Sequence, residues 1–165
     1  MGAGKTTVGR TLARRLRLQF LDSDHEIEQR TGVRIPTIFE IEGEGGFRRR
    51  EAQVIGEILS ESGRVVATGG GAVLNPDSRR TMRDGGLVVY LNVSTRLLYE
   101  RTRHDRNRPL LQVADPLARL NALFAERDPL YREVASVVID GDAHNAQQIV
   151  LLIEKEFNSR CEKST

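Results

Sequence analysis

The segment GAGKTT at residues 2–7 constrains the fold more than any other feature of the sequence, because it leads directly into a helical pattern. Val8, Leu12 and Leu16 recur at helical spacing, which predicts a helix over residues 5–17. Small residues ahead of a helix let backbone N–H groups surround phosphate oxygens, and the helix N-terminus adds a partial positive charge. In the P-loop pattern G-x-x-x-x-G-K-[ST], the lysine reaches the β- and γ-phosphates and the next hydroxyl contacts Mg²⁺. The segment therefore predicts an ATP site made of Gly2, Ala3, Gly4, Lys5, Thr6 and Thr7.

The P-loop pattern places a further glycine upstream of Gly4, outside this sequence, and a strand normally leads into such a loop. We therefore expect Met1 to be an internal methionine of a natural protein that begins about ten residues earlier. On this interpretation the sheet lacks its first strand and has two open edges with a slot between them. Such a chain should be marginally stable and bind ATP weakly.

Predicted strands and helices alternate along the remaining chain, with strands at 18–21, 65–68, 87–91 and 136–139. The predicted helices cover 24–31, 47–60, 94–103, 116–127 and 144–157, with two more starting at Pro36 and at Asn75-Pro76. Alternation predicts an α/β fold of three layers, a parallel sheet with helices on both faces, whose ligands gather at the carboxyl ends of the strands. We expect one domain over residues 1–165, with a lid loop at about 104–115 and a C-terminal tail at about 158–165.

Composition excludes several classes of function. A net charge of +2 is too small to favour a nucleic-acid partner, and no apolar run approaches the ~20 residues of a membrane helix. The single cysteine, Cys161, cannot form an internal disulfide, so the sequence favours a cytoplasmic protein. The three histidines lack metal-ligand spacing.

Asp22 and Asp24 follow the strand predicted over 18–21. Residues two apart project to the same side of a strand, so both carboxylates should face the phosphate loop. One could support the Mg²⁺ shell, while the other could hold a substrate hydroxyl and accept its proton. A helix cap with a solvated neighbour explains an isolated pair equally well, but a P-loop nearby favours the catalytic interpretation.

Three consecutive arginines, at positions 48–50, begin the helix predicted over 47–60. Helical spacing places Arg48 on the stripe of the apolar residues and Arg49 on the side of water, with Arg50 between them. A buried, unpaired charge is costly, so an inward arginine needs an anion. Arg48 is therefore the first candidate for binding an anionic substrate.

Three further segments carry possible site residues. The glycines of TGGG at 68–71 follow a strand and let backbone approach a ligand closely. RNRPLL at 106–111 could close over ATP as an arginine-bearing loop, although a basic surface loop has the same composition. Arg127 ends a predicted helix just before Asp128-Pro129 begins another, which leaves a functional role and a helix-dipole role equally open.

Taken together, these motifs resemble those of the bacterial shikimate kinases over nearly the whole chain. The resemblance rests on GAGKTT at 2–7, DSD at 22–24, GFRRRE at 46–51, ATGGG at 67–71, RPLL at 108–111 and ERDPLY at 126–131. It implies a P-loop kinase fold of the nucleoside-monophosphate-kinase type, and an enzyme that phosphorylates the 3-hydroxyl of shikimate with ATP and Mg²⁺ in aromatic amino-acid synthesis. It also implies a monomer. The loop at 140–144 lacks the basic residue that some members place near adenine.

The resemblance also assigns roles to individual residues. Shikimate would be bound by Asp24, Arg48, Gly70 and Arg127, with both arginines at its carboxylate. Thr6 and Asp22 would serve Mg²⁺, Arg108 would be the lid arginine on ATP, and the catalytic residues would be Lys5, Asp24 and Arg108. Three alternatives remain: a gluconate-type kinase, a nucleoside monophosphate kinase, and a truncated kinase fragment without catalysis.

Overall fold

The structure is a computed structural model that describes residues 2–105 and 109–163. Its strands are β1 (Gln19–Asp22), β2 (Arg64–Ala67), β3 (Val89–Asn92) and β4 (Val137–Asp140). Its α-helices are α1 (Lys5–Leu16), α2 (Ser23–Thr31), α3 (Ile35–Leu59), α4 (Pro76–Gly85), α5 (Thr95–Thr102), α6 (Pro116–Val134) and α7 (Ala146–Lys163). Short 3-10 helices cover Ala72–Leu74 and Pro109–Leu111. Within the described ranges, no helix has the length and apolarity needed to cross a membrane.

The strands form two parallel pairs. In the first pair β1 runs beside β2, with Asp22 opposite Ala67, and in the second β3 runs beside β4, with Asn92 opposite Asp140. No ladder joins β2 to β3 within the part of the chain that the structure describes. The sheet is therefore divided, as the sequence analysis expects.

Helices cover the strands on two faces. On one face, α1 and α7 pack on the second strand pair through a cluster formed by Val8, Leu12, Leu91, Ile139, Ile149, Val150 and Ile153, and Val65 of β2 packs against it. On the other face, α2 and α3 form a cluster of Ile27, Ile38, Phe47, Val54 and Ile58, and α3, α4 and α6 contribute to another that includes Ile55, Met82 and Val134. The three-layer α/β architecture predicted from the sequence is confirmed.

Local capping signals place helix starts correctly. The Asn75 side chain accepts hydrogen bonds from the N–H groups of Asp77 and Ser78, and the Ser94 hydroxyl accepts one from Leu97. Both serve as the N-caps that the sequence predicts.

Three predicted helix boundaries are wrong. The helix that carries the three arginines begins directly after Gly43 rather than at residue 47, because Gly43 takes the left-handed φ of 68° that a residue with a side chain avoids. Helix α6 does not end at Arg127 but continues through Pro129 to Val134. Arg127 and Tyr131 therefore lie one turn apart on the same side of one helix. Helix α7 likewise extends into the residues assigned to a C-terminal tail.

Candidate active site

The phosphate loop lies at the start of α1, as predicted. Gly4 precedes the helix with a left-handed φ of 86°, which favours glycine. Helix α5 supports the loop from outside, because Arg101 Nη1 donates to the Gly2 carbonyl at 3.2 Å. No side chain of the described residues caps the start of α1, so its N–H groups are available to phosphate oxygens.

Thr6 and Asp22 meet beside this loop. Thr6 Oγ1 donates a hydrogen bond to Asp22 Oδ2 at 2.8 Å. Asp22 is also the N-cap of α2, because its Oδ1 accepts from the Asp24 N–H at 3.1 Å. Mg²⁺ prefers oxygen ligands and binds through one or two protein groups together with waters and substrate phosphates. The pair fits this requirement: the Thr6 oxygen would contact the ion, and Asp22 would hold the hydroxyl in place.

Asp24 does not share a strand with Asp22. Strand β1 ends at Asp22, and Ser23 already belongs to α2, so the argument from alternating strand residues is wrong. The two carboxylates instead serve different neighbours. Asp22 contacts Thr6, whereas Asp24 lies beside Gly69. A Cβ atom added at Gly69 would lie only 2.7 Å from Asp24 Oδ1. The division of roles between the two carboxylates remains a prediction.

Arg48 points inward and Arg49 outward, as helix geometry predicts. Only 18% of the Arg48 side chain is exposed, and its Nη1 and Nη2 bind Glu51 at 2.6 Å and Glu44 at 2.9 Å. Its buried Nε has no hydrogen-bond partner among the described residues. Arg50, expected in an intermediate position, is exposed and binds Glu42.

Glu51 is a site residue that the sequence analysis missed. It is 1% exposed, and Arg48 binds its Oε2 while its Oε1 has no hydrogen-bond partner in the described part of the chain. Burial raises the pKa of this carboxyl, whereas the charges of Arg48 and Arg127 act in the opposite direction. Its position one turn after Arg48, in GFRRRE, was the available signal. Glu51 fixes the direction in which the Arg48 guanidinium points.

The raised pKa of Glu51 predicts a pH-dependent stability. A group with a higher pKa in the folded state contributes stability below its unfolded value, and this contribution is lost as the pH rises through the folded pKa. The Glu51→Gln variant does not lose stability in this way, because glutamine does not titrate. We therefore expect the melting temperature of the variant, minus that of the wild type, to increase as the pH rises above 4.5, the ordinary pKa of a glutamate.

Glu57→Gln is the matched control on the same helix. Hydrogen bonds from Gln53 and Arg30 hold the pKa of Glu57 below its ordinary value. Its contribution is present above the unfolded pKa and lost as the pH falls through the folded pKa, so the difference for this variant should decrease with rising pH. A decrease for Glu51→Gln as well would contradict the raised pKa.

The glycine loop after β2 leaves room for charged side chains. None of Gly69, Gly70 and Gly71 has a positive φ, so these glycines are not required by backbone conformation. A Cβ at Gly69 would collide with Glu51 Oε1 and Asp24 Oδ1, and one at Gly71 would overlap the Arg48 guanidinium. The close approach expected from the sequence is therefore made by the protein's own side chains.

Arg127 completes the cluster from α6. It is 4% exposed, and its Nε has no hydrogen-bond partner among the described residues. Together with Lys5, Gly69 and Gly70 it lines one open cleft. Because α6 does not end at Arg127, the helix-dipole explanation is wrong, and a role of Arg127 in substrate binding remains a prediction. Arg108, the predicted lid arginine, lies outside the described residues.

A phosphate loop that shares one cleft with a buried arginine, on an α/β scaffold, defines a P-loop kinase for a small anionic acceptor. The family model for shikimate kinase matches residues 1–158. The shikimate kinase of Dechloromonas aromatica (strain RCB) is 66% identical over 158 residues, covering 96% of this chain and 86% of the relative. That of Aromatoleum aromaticum is 58% identical over 159 residues, covering 96% and 91%.

Solved structures give the same result. Shikimate kinase from Acinetobacter baumannii in complex with shikimate is 51% identical, with a TM-score of 0.88, covering 94% of this chain and 89% of that one. Shikimate kinase from Aquifex aeolicus is 33% identical, with a TM-score of 0.82, covering 96% and 94%. The chain belongs to the shikimate kinase family.

Proposed function

We infer that this protein transfers the γ-phosphate of ATP to the 3-hydroxyl of shikimate, a step of aromatic amino-acid synthesis. The observation that carries this inference is that Lys5, the buried Arg127 and the glycine loop line the same cleft. Shikimate is a carboxylate with ring hydroxyls, so it offers an anion to the arginines and a nucleophile to the phosphate loop. The A. baumannii relative, solved with shikimate, supports the same substrate.

The residues divide the reaction between them. Gly2 to Thr7 would hold ATP, and Arg48 and Arg127 would grip the shikimate carboxylate, with Gly70 contacting the ring. Asp24 would accept the proton of the shikimate 3-hydroxyl while the hydroxyl oxygen bonds to the γ-phosphorus of ATP. The bond between the γ-phosphorus and the oxygen that bridges to the β-phosphate breaks at the same time, which releases ADP. Lys5 would hold the γ-phosphate in line, and Arg108 would close over it.

Thr6 and Asp22 would hold Mg²⁺, which when bound neutralises charge on the β- and γ-phosphates. We expect the protein to act as a cytoplasmic monomer.

An assay coupled to ADP release tests this function against the alternatives. We expect turnover with shikimate and Mg²⁺, and at most a trace with gluconate or AMP, because AMP has no carboxylate and gluconate is an open chain without a ring that fixes its carboxylate relative to its hydroxyls. Chelation of Mg²⁺ should abolish the signal. Turnover only with gluconate or AMP would assign another kinase, and shikimate binding without ADP release would indicate a non-catalytic fragment.

A further inference from the structure

We propose that Ser23 and Tyr131 are positioning residues that hold the Gly69–Gly70 segment between the two ends of the substrate site. The proposal rests on the proposed function. Neither residue is needed to touch shikimate or ATP. Each instead fixes the glycine loop, and each stands directly beside a residue assigned to the substrate.

Ser23 anchors the loop from the side of the hydroxyl-binding carboxylate. It has no exposed surface, and its Oγ accepts a hydrogen bond from the Gly69 N–H at 2.9 Å. The next residue is Asp24, whose carboxylate lies against Gly69. The hydrogen bond therefore joins the start of α2 to the loop that follows β2, at the point where Asp24 enters the site.

Tyr131 anchors the loop from the side of the arginine cluster. Its hydroxyl donates to the Gly70 carbonyl at 2.5 Å, and it lies one turn after Arg127 on α6. Its ring packs on the Tyr90 ring with centroids 4.9 Å apart, and this contact keeps the Tyr131 hydroxyl within hydrogen-bond distance of the loop. Burial raises the pKa of the hydroxyl, so it remains a protonated donor at neutral pH.

The two hydrogen bonds lie on either side of the peptide group that joins Gly69 and Gly70. These two bonds fix the flanking peptide groups, and the Gly69 carbonyl, which belongs to the joining peptide group, accepts from the Ala72 N–H at 3.2 Å. Its own N–H belongs to Gly70, the glycine assigned to shikimate. Ser23 and Tyr131 thus hold both ends of the segment that carries this N–H, and they link Asp24 to Arg127 through it.

Tyr131→Phe tests the proposal, with Tyr90→Phe as its matched control. Both variants lose one phenolic hydroxyl and keep the stacked rings, but the Tyr90 hydroxyl donates to Asp128 at 2.9 Å rather than to the loop. We expect Tyr131→Phe to raise the KM for shikimate roughly 3- to 10-fold and to leave the KM for ATP unchanged. Tyr90→Phe should change neither KM.

Ser23→Ala provides an independent variant, with Ser78→Ala as its control. Ser78 is also a buried serine, on α4, and its hydroxyl has no hydrogen-bond partner among the described residues. Ser23→Ala should raise the KM for shikimate by a similar factor, and Ser78→Ala should not. Combining Ser23→Ala with Tyr131→Phe should raise this KM by less than the product of the single effects, because the second loss acts on a loop that is already released.

The results separate failure of the proposal from failure of the function. An unchanged KM for shikimate in Tyr131→Phe and Ser23→Ala would overturn the proposal alone, even if both variants melt at a lower temperature. Equal effects of Tyr131→Phe and Tyr90→Phe would also overturn it, because the ring pair rather than the loop contact would then be responsible. Absence of both shikimate binding and turnover in the unmodified chain would overturn the proposed function, and this proposal with it.

Discussion

Lys5→Ala should lower turnover with shikimate by about 10²–10³-fold while the chain still folds, a loss comparable to that of one preorganised charge-stabilising donor. Lys5 is the first residue of α1 and lines the cleft that holds Arg127 and the glycine loop. It is therefore the cation that can follow the γ-phosphate as it moves to the acceptor. Steady-state kinetics at saturating ATP and shikimate measure the effect, because it falls on the chemical step.

Lys155→Ala is the control for this experiment. Lys155 lies on α7 with an exposed side chain, so its removal changes the net charge equally without touching the cleft. Wild-type turnover is expected for this variant. If Lys5→Ala retained more than a tenth of wild-type turnover, the assignment of the phosphate loop to catalysis would be wrong.

Arg48→Ala should weaken shikimate binding by roughly 10- to 150-fold, the equivalent of a charge-assisted hydrogen bond of about 1.5–3 kcal/mol. The guanidinium is mostly buried and is directed by Glu51, so an incoming carboxylate meets a cation that is already oriented. Calorimetry of shikimate binding measures this loss. The matched control, Arg49→Ala, removes the neighbouring exposed arginine and should leave affinity within about 2-fold.

Comparing the shikimate affinities of these two variants tests whether Arg48 or Arg49 lies on the side of α3 that faces the substrate. If Arg49→Ala weakened binding more than Arg48→Ala, the substrate would have to bind on the outer side of α3. If both variants weakened shikimate binding equally and only slightly, the shikimate carboxylate would have to bind to Arg127 alone.

Local signals in the sequence were sufficient for the elements and for the first contacts of the site. Asn75 and Ser94 cap their helices through hydrogen bonds to residues two or three positions on, which a sequence displays directly. The inward direction of Arg48 follows from the spacing of its own helix. The phosphate loop was predictable for the same reason, since its chemistry is contained in consecutive residues.

Long-range packing decided what the sequence did not show. Proline favours a helix break, yet α6 continues through Pro129, because Leu123, Arg127 and Val134 bury one continuous side of it. The contacts of Ser23 with Gly69 and of Tyr131 with Gly70 join residues far apart in the chain, so no spacing rule indicates them.

The glycine loop has a consequence for the order in which this site could change during evolution. Gly71 is constrained by volume alone: its φ suits any residue, but the Arg48 guanidinium occupies the space that a methyl group would need. A mutation to alanine at this position therefore displaces the guanidinium as long as the arginine is present. If a lineage replaces Arg48 first, it loses the preference for an anionic acceptor and also the clash that a side chain at position 71 would meet. If position 71 changes first, the new side chain displaces the Arg48 guanidinium.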